Sequence, residues 1–190
     1  MRKIISKDEE ENRKRRNQFI VGGILIVVML LSTLGYAFQG NSEEKPKEVN
    51  YNGHEFVEKS GYWFLEIGDM EFAFRYNPKQ VPRIKSEVNK VNEYSNQPLY
   101  ISSRYQEAYS EIYVNLNPIV QRIQFACEEN ETCEGNLPIK NCDSNFIIIK
   151  EANETNITQE KNCVFIKAPI ETITQTTDEF LFKILNIEND

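Results

Sequence analysis

Residues 48–76 read EVNYNGHEFVEKSGYWFLEIGDMEFAFRY, and this stretch predicts the first half of the folded domain. Runs of alternating apolar and polar residues are separated by three dipeptides that favour tight turns, namely Asn52-Gly53, Ser60-Gly61 and Gly68-Asp69. Gly and Asn tolerate the positive φ angles that two-residue hairpin turns require. The pattern therefore predicts a four-stranded antiparallel meander within residues 48–82, which ends where prolines interrupt the ladder.

The aromatic residues of the meander recur at every second position. Such residues fill the core beneath a sheet more often than they form a platform for carbohydrate or peptide. We therefore predict core positions for two alternating sets, Trp63, Leu65 and Ile67 on one strand and Phe72, Phe74 and Tyr76 on the next.

Downstream of the meander, residues 83–97 are polar and indicate a surface loop or a short helix. Residues 99–102 and 110–116 are predicted strands, the second because its apolar residues alternate. Asn117-Pro118 then indicates the start of a helix, since Asn is a good N-cap and proline is tolerated at the first helical position. We expect that helix to extend to about residue 129.

The C-terminal part completes a predicted mixed sheet. Apolar runs at 146–150 and 163–167 suit buried strands, and residues 155–159 are expected to pair between them. Residues 170–187 predict a closing helix. Its apolar face would comprise Ile170, Ile173, Thr177, Phe180, Leu181 and Ile184.

Upstream of the meander, residues 19–38 read FIVGGILIVVMLLSTLGYAF, without a charged side chain. A helix of this length spans the roughly 30 Å hydrocarbon core of a bilayer, and its backbone groups are satisfied internally. A cleaved signal peptide is the main alternative, but its apolar core is usually only about 7–15 residues long. The prediction is a retained transmembrane helix.

Basic residues set the expected orientation. Residues 1–17 hold seven basic and four acidic side chains, whereas few basic residues follow the apolar segment closely. By the positive-inside rule the N-terminus is cytoplasmic and the C-terminal domain lies outside. The predicted organisation is a cytoplasmic tail (1–17), a transmembrane helix (18–38), a linker (39–47) and an extracytoplasmic α+β domain (48–190), whose cysteine-bearing αβ part is 98–190.

The residues after the tail include 15 basic and 25 acidic side chains, a balance of −10. An acidic surface repels phosphate backbones, which excludes nucleic acid as an expected partner. The expected contacts are the lipid bilayer, through residues 19–38, and another envelope protein or surface component.

Four cysteines are present, an even number on the side of the membrane where oxidation is permitted. We predict two disulfides, and of three possible pairings we favour Cys127 with Cys133 and Cys142 with Cys163. A structural zinc site is the alternative, but its ligands usually come in closer pairs than these. No metal site is predicted.

Three N-x-S/T triplets begin at Asn130, Asn153 and Asn156. They are candidate glycosylation acceptors and fit surface loops of an exported domain.

The search for catalytic residues gives little. His54 is the single histidine, so a Ser-His-Asp or Cys-His arrangement would need it, and it directly follows a predicted turn. No glycine-rich phosphate loop or calcium loop occurs, and no cofactor is predicted. Two carboxylates suffice for glycan hydrolysis, and the candidates are Glu66, Asp69, Glu71, Asp143 and Asp178.

The closing motifs CVFIK at 163–167 and DEFLFKILNI at 178–187, together with the NGHEF hairpin at 52–56, resemble those of uncharacterised small single-pass (bitopic) envelope proteins of archaea. The resemblance covers most of residues 19–187. It implies an envelope location and no particular activity.

The function expected from the sequence is a membrane-anchored extracytoplasmic binding or structural protein of the cell envelope, without catalysis. Two alternatives remain open. An exported carboxylate-dependent hydrolase would show two converging Asp or Glu groups in a concave pocket. An accessory subunit of a membrane protein complex would show an exposed apolar patch.

Overall fold

The computed structural model describes residues 7–39, 47–129 and 135–187. The chain divides into two compact units, Met1–Lys45 and Pro46–Asp190. The described part of the first unit is one helix, α1 (Lys7–Gln39). Its segment Glu11–Thr33 is 23 residues long and, by length and composition, apolar enough to cross a membrane, as N-terminal signal sequences also are. The predicted apolar helix is confirmed.

The predicted meander is confirmed as a sheet of four strands paired antiparallel in sequence order. Its first turn has φ angles of 48° at Asn52 and 82° at Gly53, and the second has 54° at Ser60 and 81° at Gly61. Two consecutive positive φ angles match the right-handed twist of the flanking strands. The strands are β1 (Glu48–Tyr51), β2 (His54–Lys59), β3 (Tyr62–Ile67) and β4 (Met70–Phe74).

A second sheet, with five strands, is mixed as predicted. Its order is β10-β11-β9-β5-β6, and all neighbours are parallel except β10 and β11. A separate two-stranded ladder joins β7 and β8. The strands are β5 (Pro98–Ser103), β6 (Arg122–Phe125), β7 (Cys127–Glu128), β8 (Ile139–Lys140), β9 (Asn145–Glu151), β10 (Asn156–Glu160) and β11 (Cys163–Ala168).

The predicted strand at 110–116 is wrong, because these residues belong to helix α2 (Gln106–Leu116). Ala108, Ile112 and Leu116 are fully buried at a spacing of four residues, which is the helical period. Val114, which completed the apparent alternation, is 54% exposed. The alternation is therefore a coincidence of composition.

Two further expectations need correction. Asn117-Pro118 ends α2 instead of starting a helix, and the segment predicted as helix forms β6 and β7. Residues 155–159 do pair as a strand, but β10 lies at the edge of the sheet beside β11, while β11 pairs directly with β9.

The closing helix is confirmed as α3 (Ile173–Ile184), although it starts later than predicted. The Thr172 amide donates to the Pro169 carbonyl in a preceding turn, which leaves Ile170 outside the helix and exposed. Every residue of α3 from Thr176 to Ile184 is buried, so the helix contacts protein on all sides instead of along one apolar face.

The main core joins the four-stranded and five-stranded sheets to α2, α3 and the short 3-10 helix Val91–Tyr94. Phe182 of α3 packs against Phe56 and Phe74 of the meander, with ring centroids 5.8 and 4.7 Å apart. The predicted meander residues Trp63, Leu65, Phe72 and Phe74 are buried in this core. A smaller cluster that includes Tyr100, Phe146 and Ile148 covers the opposite face of the five-stranded sheet.

Candidate functional site

Two carboxyl groups converge inside the second unit. Glu111 on α2 and Asp178 on α3 lie in direct contact and are 7% and 0% exposed. Burial raises the pKa of Glu111. Burial, and next the charge of Glu111, raise the pKa of Asp178 well above its usual value. Because two adjacent buried carboxylates repel each other, the pair keeps a proton to higher pH than a solvated carboxyl group does, and Asp178 then donates it to Glu111.

The same side chains also bind the backbone that directly follows β4. The Tyr76 amide donates to Asp178 Oδ2 (2.9 Å) and the Arg75 amide to Glu111 Oε2 (3.3 Å). One helical turn after Glu111, Asn115 accepts from the Ala73 amide (2.9 Å) and donates to the Ala73 carbonyl (2.7 Å). Three side chains thus take the place of a fifth strand, and we call Glu111, Asn115 and Asp178 the β4 clasp.

The clasp bears directly on the hydrolase hypothesis. Asp178 is one of the carboxylates considered from the sequence, whereas sequence reasoning misses Glu111, because the alternation in α2 predicts a strand. Each carboxyl group accepts a backbone hydrogen bond and is enclosed by the core. A group so placed cannot approach a polysaccharide, so this geometry favours a structural role for the pair.

Of the other candidates from the sequence, Glu66 and Glu71 do come together, in a depression of about 390 Å³ on the exposed side of the meander. Both side chains are exposed, so neither has the distinct buried environment that separates a catalytic acid from its partner. Asp143 lies in a loop, 3.6 Å from Lys161. His54 begins β2 directly after the first turn of the meander. Within residues 7–39, 47–129 and 135–187, no group of three or more His, Cys, Asp or Glu side chains could hold a metal ion.

The predicted Cys142–Cys163 disulfide is present, with the Cα atoms 4.8 Å apart. It ties the loop before β9 to the start of β11, and these two thiols are therefore not free to bind zinc. Cys127 is also disulfide-bonded. Cys133, its predicted partner, lies outside the described residues.

The candidate glycosylation acceptors Asn153 and Asn156 are both exposed. Asn153 lies in the loop between β9 and β10, and Asn156 begins the edge strand β10. Asn130 lies outside the described residues.

An exposed apolar patch lies beside the edge strand β6. The rings of Tyr109 and Phe125 stack at 4.3 Å between centroids, and Tyr113 packs against Tyr109. Tyr113, Val114 and Phe125 are each more than a third exposed. This is the type of feature that the accessory-subunit hypothesis predicts.

A polar groove of about 460 Å³ lies at the amino ends of the parallel strands β5, β9 and β11. Sequence reasoning misses it, because its residues come from four separate loops and strand ends. Within the described part of the chain, the side chains of Gln97 and Asn145 make no hydrogen bond to protein. The polar lining residues are Asn89, Glu93, Gln97, Tyr100, Asp143, Ser144, Asn145 and Asn162.

The disulfide shapes this groove. Cys142 directly precedes Asp143 and Cys163 directly follows Asn162, so the covalent bond holds two lining residues side by side. The backbone N–H of Asn162 donates to the Cys142 carbonyl at 3.3 Å. The groove is therefore fixed in position by a covalent cross-link as well as by the sheet.

Tyr100 forms the aromatic part of the lining. Its hydroxyl accepts a hydrogen bond from Arg122 Nη2 at 3.1 Å, and the Lys140 ammonium group lies 4.2 Å from its ring centroid. Hydrogen bonds from Arg122 and Lys140 lower the pKa of Tyr100. Two cations thus lie next to this ring in an otherwise acidic domain.

No protein-family model, curated protein or solved structure matches this chain.

Proposed function

We propose that this protein is a membrane-anchored binding protein whose folded domain lies outside the cytoplasm, and that the polar groove binds a hydroxyl-rich surface component such as an envelope saccharide. The anchor is α1, inserted through residues 19–38. The observation that carries the proposal is the Cys142–Cys163 disulfide, which joins the sequence neighbours of the lining residues Asp143 and Asn162.

The anchoring rests on the length and surface of α1. Phe19 is 81% exposed and Met29 70% exposed on this helix. Large apolar side chains all around a helix are stable in lipid and unfavourable in water. Arg13, Lys14, Arg15 and Arg16 precede the apolar part, which supports a cytoplasmic N-terminus.

The outside location of the domain rests on redox chemistry. Cytoplasmic thiols are kept reduced, whereas disulfides persist in oxidising compartments. A bond that joins the loop before β9 to the start of the neighbouring strand β11 is part of the fold, which supports a domain that matures outside the cytoplasm.

The ligand class rests on the lining of the groove. Amide groups both donate and accept hydrogen bonds, and carboxylates accept them, so together they match the hydroxyl groups of a sugar, which also do both. The groove lies within the usual 300–1,000 Å³ range of small-ligand sites. Gln97 and Asn145 supply amides that have no hydrogen-bond partner in the described part of the chain.

The topology is tested with a membrane-impermeant maleimide on intact cells. We expect labelling only after a reductant is added, because the cysteines lie outside and are oxidised. Labelling that requires permeabilisation but no reductant would show the reverse orientation with free thiols, and would overturn the proposal.

Binding is tested with the full-length chain in detergent on an array of envelope polysaccharide fragments. Asn145→Ala and Asn162→Ala should each weaken binding at least tenfold, because each removes an amide from the groove. Asn117→Ala removes an exposed amide at the end of α2 and should bind as the wild type does. Equal binding by all four proteins, or binding by none, would count against a saccharide site in this groove.

A further inference from the structure

The side of the meander that faces away from the core has an ordered pattern of side chains, and we call this side the outer face. Along each strand, alternate residues point to it, so the strand register decides which of them are neighbours. The pairs Asn50 with Glu55, and Glu66 with Glu71, are directly opposite across adjacent strands. Phe56 of β2 pairs with Leu65 of β3. Because the strands are antiparallel, the preceding residue Glu55 lies opposite the following residue Glu66.

Glu55, Glu66 and Glu71 therefore form a row across β2, β3 and β4, which we call the acidic band. Like charges directly opposite each other destabilise a sheet. All three side chains line one depression of about 390 Å³ on the outer face. The repulsion among these three carboxylates therefore raises the free energy of the sheet, and a positively charged surface packed on it would offset that repulsion.

The opposite end of the same three strands carries hydrogen-bond donors. Lys59 pairs with Tyr62 across β2 and β3. Arg75 Nη1 lies 3.2 Å from the Tyr62 hydroxyl, which places Arg75 in the same row. We call Lys59, Tyr62 and Arg75 the donor band.

Between these two bands lies an apolar one. Val57 pairs with Phe64, and Phe64 with Ala73, so the three form the middle row of the outer face. The face therefore reads acidic, apolar and donor along β2, β3 and β4, whereas β1 adds Asn50 to the acidic row and Glu48 to the apolar row. The acid and donor of one strand are four residues apart in each case.

We propose that the outer faces of two copies of this chain pack on each other about a two-fold axis that runs along the apolar band. The proposal goes beyond the binding function above. Rotation about this axis exchanges the two ends of every strand, so the acidic band of one copy meets the donor band of the other. Glu55 then lies opposite Lys59, Glu66 opposite Tyr62, and Glu71 opposite Arg75, each twice.

The band order selects this arrangement over others. A two-fold axis along the strands would place glutamates on glutamates. The chosen axis makes the surface of β2, β3 and β4 complementary to itself, which is the requirement of an isologous dimer, whereas Glu48 at the end of the apolar row would meet Glu48 of the other copy. It also leaves the strands of the two sheets nearly aligned, as in packed β-sandwiches. Because Phe64 lies on this axis, Phe64 of each copy would pack against Phe64 of the other.

The size of the face indicates how strong the contact is. Four strands about 4.8 Å apart, each with about five residues at about 3.4 Å rise, cover roughly 330 Å². Stable dimers bury about 800 Å² on each partner. The dimer is therefore expected to depend on the high local concentration that a shared membrane provides.

The test uses the full-length chain in lipid vesicles, with donor- and acceptor-labelled copies and energy transfer as the readout. Glu55→Lys alone and Lys59→Glu alone should each lower association at least tenfold, because like charges then meet at both ends of the face. An equimolar mixture of the two variants should associate like the wild type, since the lysine introduced in one chain meets the glutamate introduced in the other. Glu160→Lys makes the same charge change on the edge strand β10 and should associate normally.

The rescue in the mixture separates loss of contact from loss of folding. Single variants that associate as the wild type does, or a mixture as weak as its components, would overturn the proposal. Wild-type chains that are inserted in the vesicles yet show no transfer would overturn the dimer and leave the anchoring intact. Chains that do not stay with the vesicles would instead contradict the proposed function.

Discussion

At the scale of single residues, the pair of Glu111 and Asp178 makes stability depend on pH. The unfolded carboxyl groups titrate near pH 4, and both folded pKa values are raised by burial. At pH values above the unfolded pKa and below the folded pKa, the folded chain holds a proton that the unfolded chain has lost. The contribution of the pair is therefore complete below about pH 4 and is lost as the pH rises through the folded pKa values.

Asp178→Asn should remove much of this dependence. The amide can donate to Glu111 and accept from the Tyr76 amide, as the protonated acid does. The wild type loses about 1.4 kcal/mol in free energy of unfolding for each unit by which a pKa is raised. Urea unfolding at pH 4 to 8, followed by the fluorescence of buried Trp63, the single tryptophan, should show the variant gaining on the wild type as pH rises. If the free energies of unfolding of the two proteins changed equally with pH, the buried pair would not be the source of the pH dependence.

At the scale of secondary-structure elements, the β4 clasp connects the meander to α2 and α3. Asn115→Ala removes both hydrogen bonds to Ala73, which leaves a backbone donor and an acceptor without their partner. Each buried group left without a partner costs about 1–3 kcal/mol, so we expect the free energy of unfolding to fall by about 2–4 kcal/mol.

The matched control for Asn115→Ala is Glu107→Ala on the same helix. Glu107 makes an exposed ion pair with Arg75 at 3.6 Å, and its loss should change stability by no more than about 0.5 kcal/mol. Both variants are measured by urea unfolding with the Trp63 signal. Similar losses in the two would show that the hydrogen bonds of Asn115 contribute no more than a surface ion pair.

The elements differ in how far the sequence predicts them. The turns at Asn52-Gly53 and Ser60-Gly61 fix their hairpins through local conformation alone, so the meander could be predicted from neighbours in sequence. Helix α2 could not, because its apolar residues fit a period of two and a period of four over the same short span. Its buried Glu111 and Asn115 are explained only by the edge of β4, which is remote in sequence.

At the scale of the whole molecule, the candidate sites depend on tertiary structure more than on local pattern. The groove gathers Gln97, Asn145 and Asn162 from distant loops, and no motif indicates them. The Cys142–Cys163 pair was predictable because it joins the starts of two predicted strands, and it lies beside the groove. The outer face lies between these extremes, since its bands follow from the alternation once the register of the hairpins is known.

The orientation of the whole chain is expected to depend on the basic cluster at residues 13–16. Replacing these four residues by Gln removes most of the charge that holds the N-terminus inside, so a fraction of chains should insert the other way round. Inverted chains would place Cys142 and Cys163 in the reducing cytoplasm, where the disulfide cannot persist. Reaction with impermeant maleimide before and after permeabilisation measures both changes on the same molecules. The control replaces four exposed lysines of the second unit by Gln, namely Lys79, Lys85, Lys161 and Lys167, and should leave orientation unchanged. If the basic cluster can be removed while every chain keeps its orientation and its disulfide, the orientation must come from the folded domain instead of from the tail.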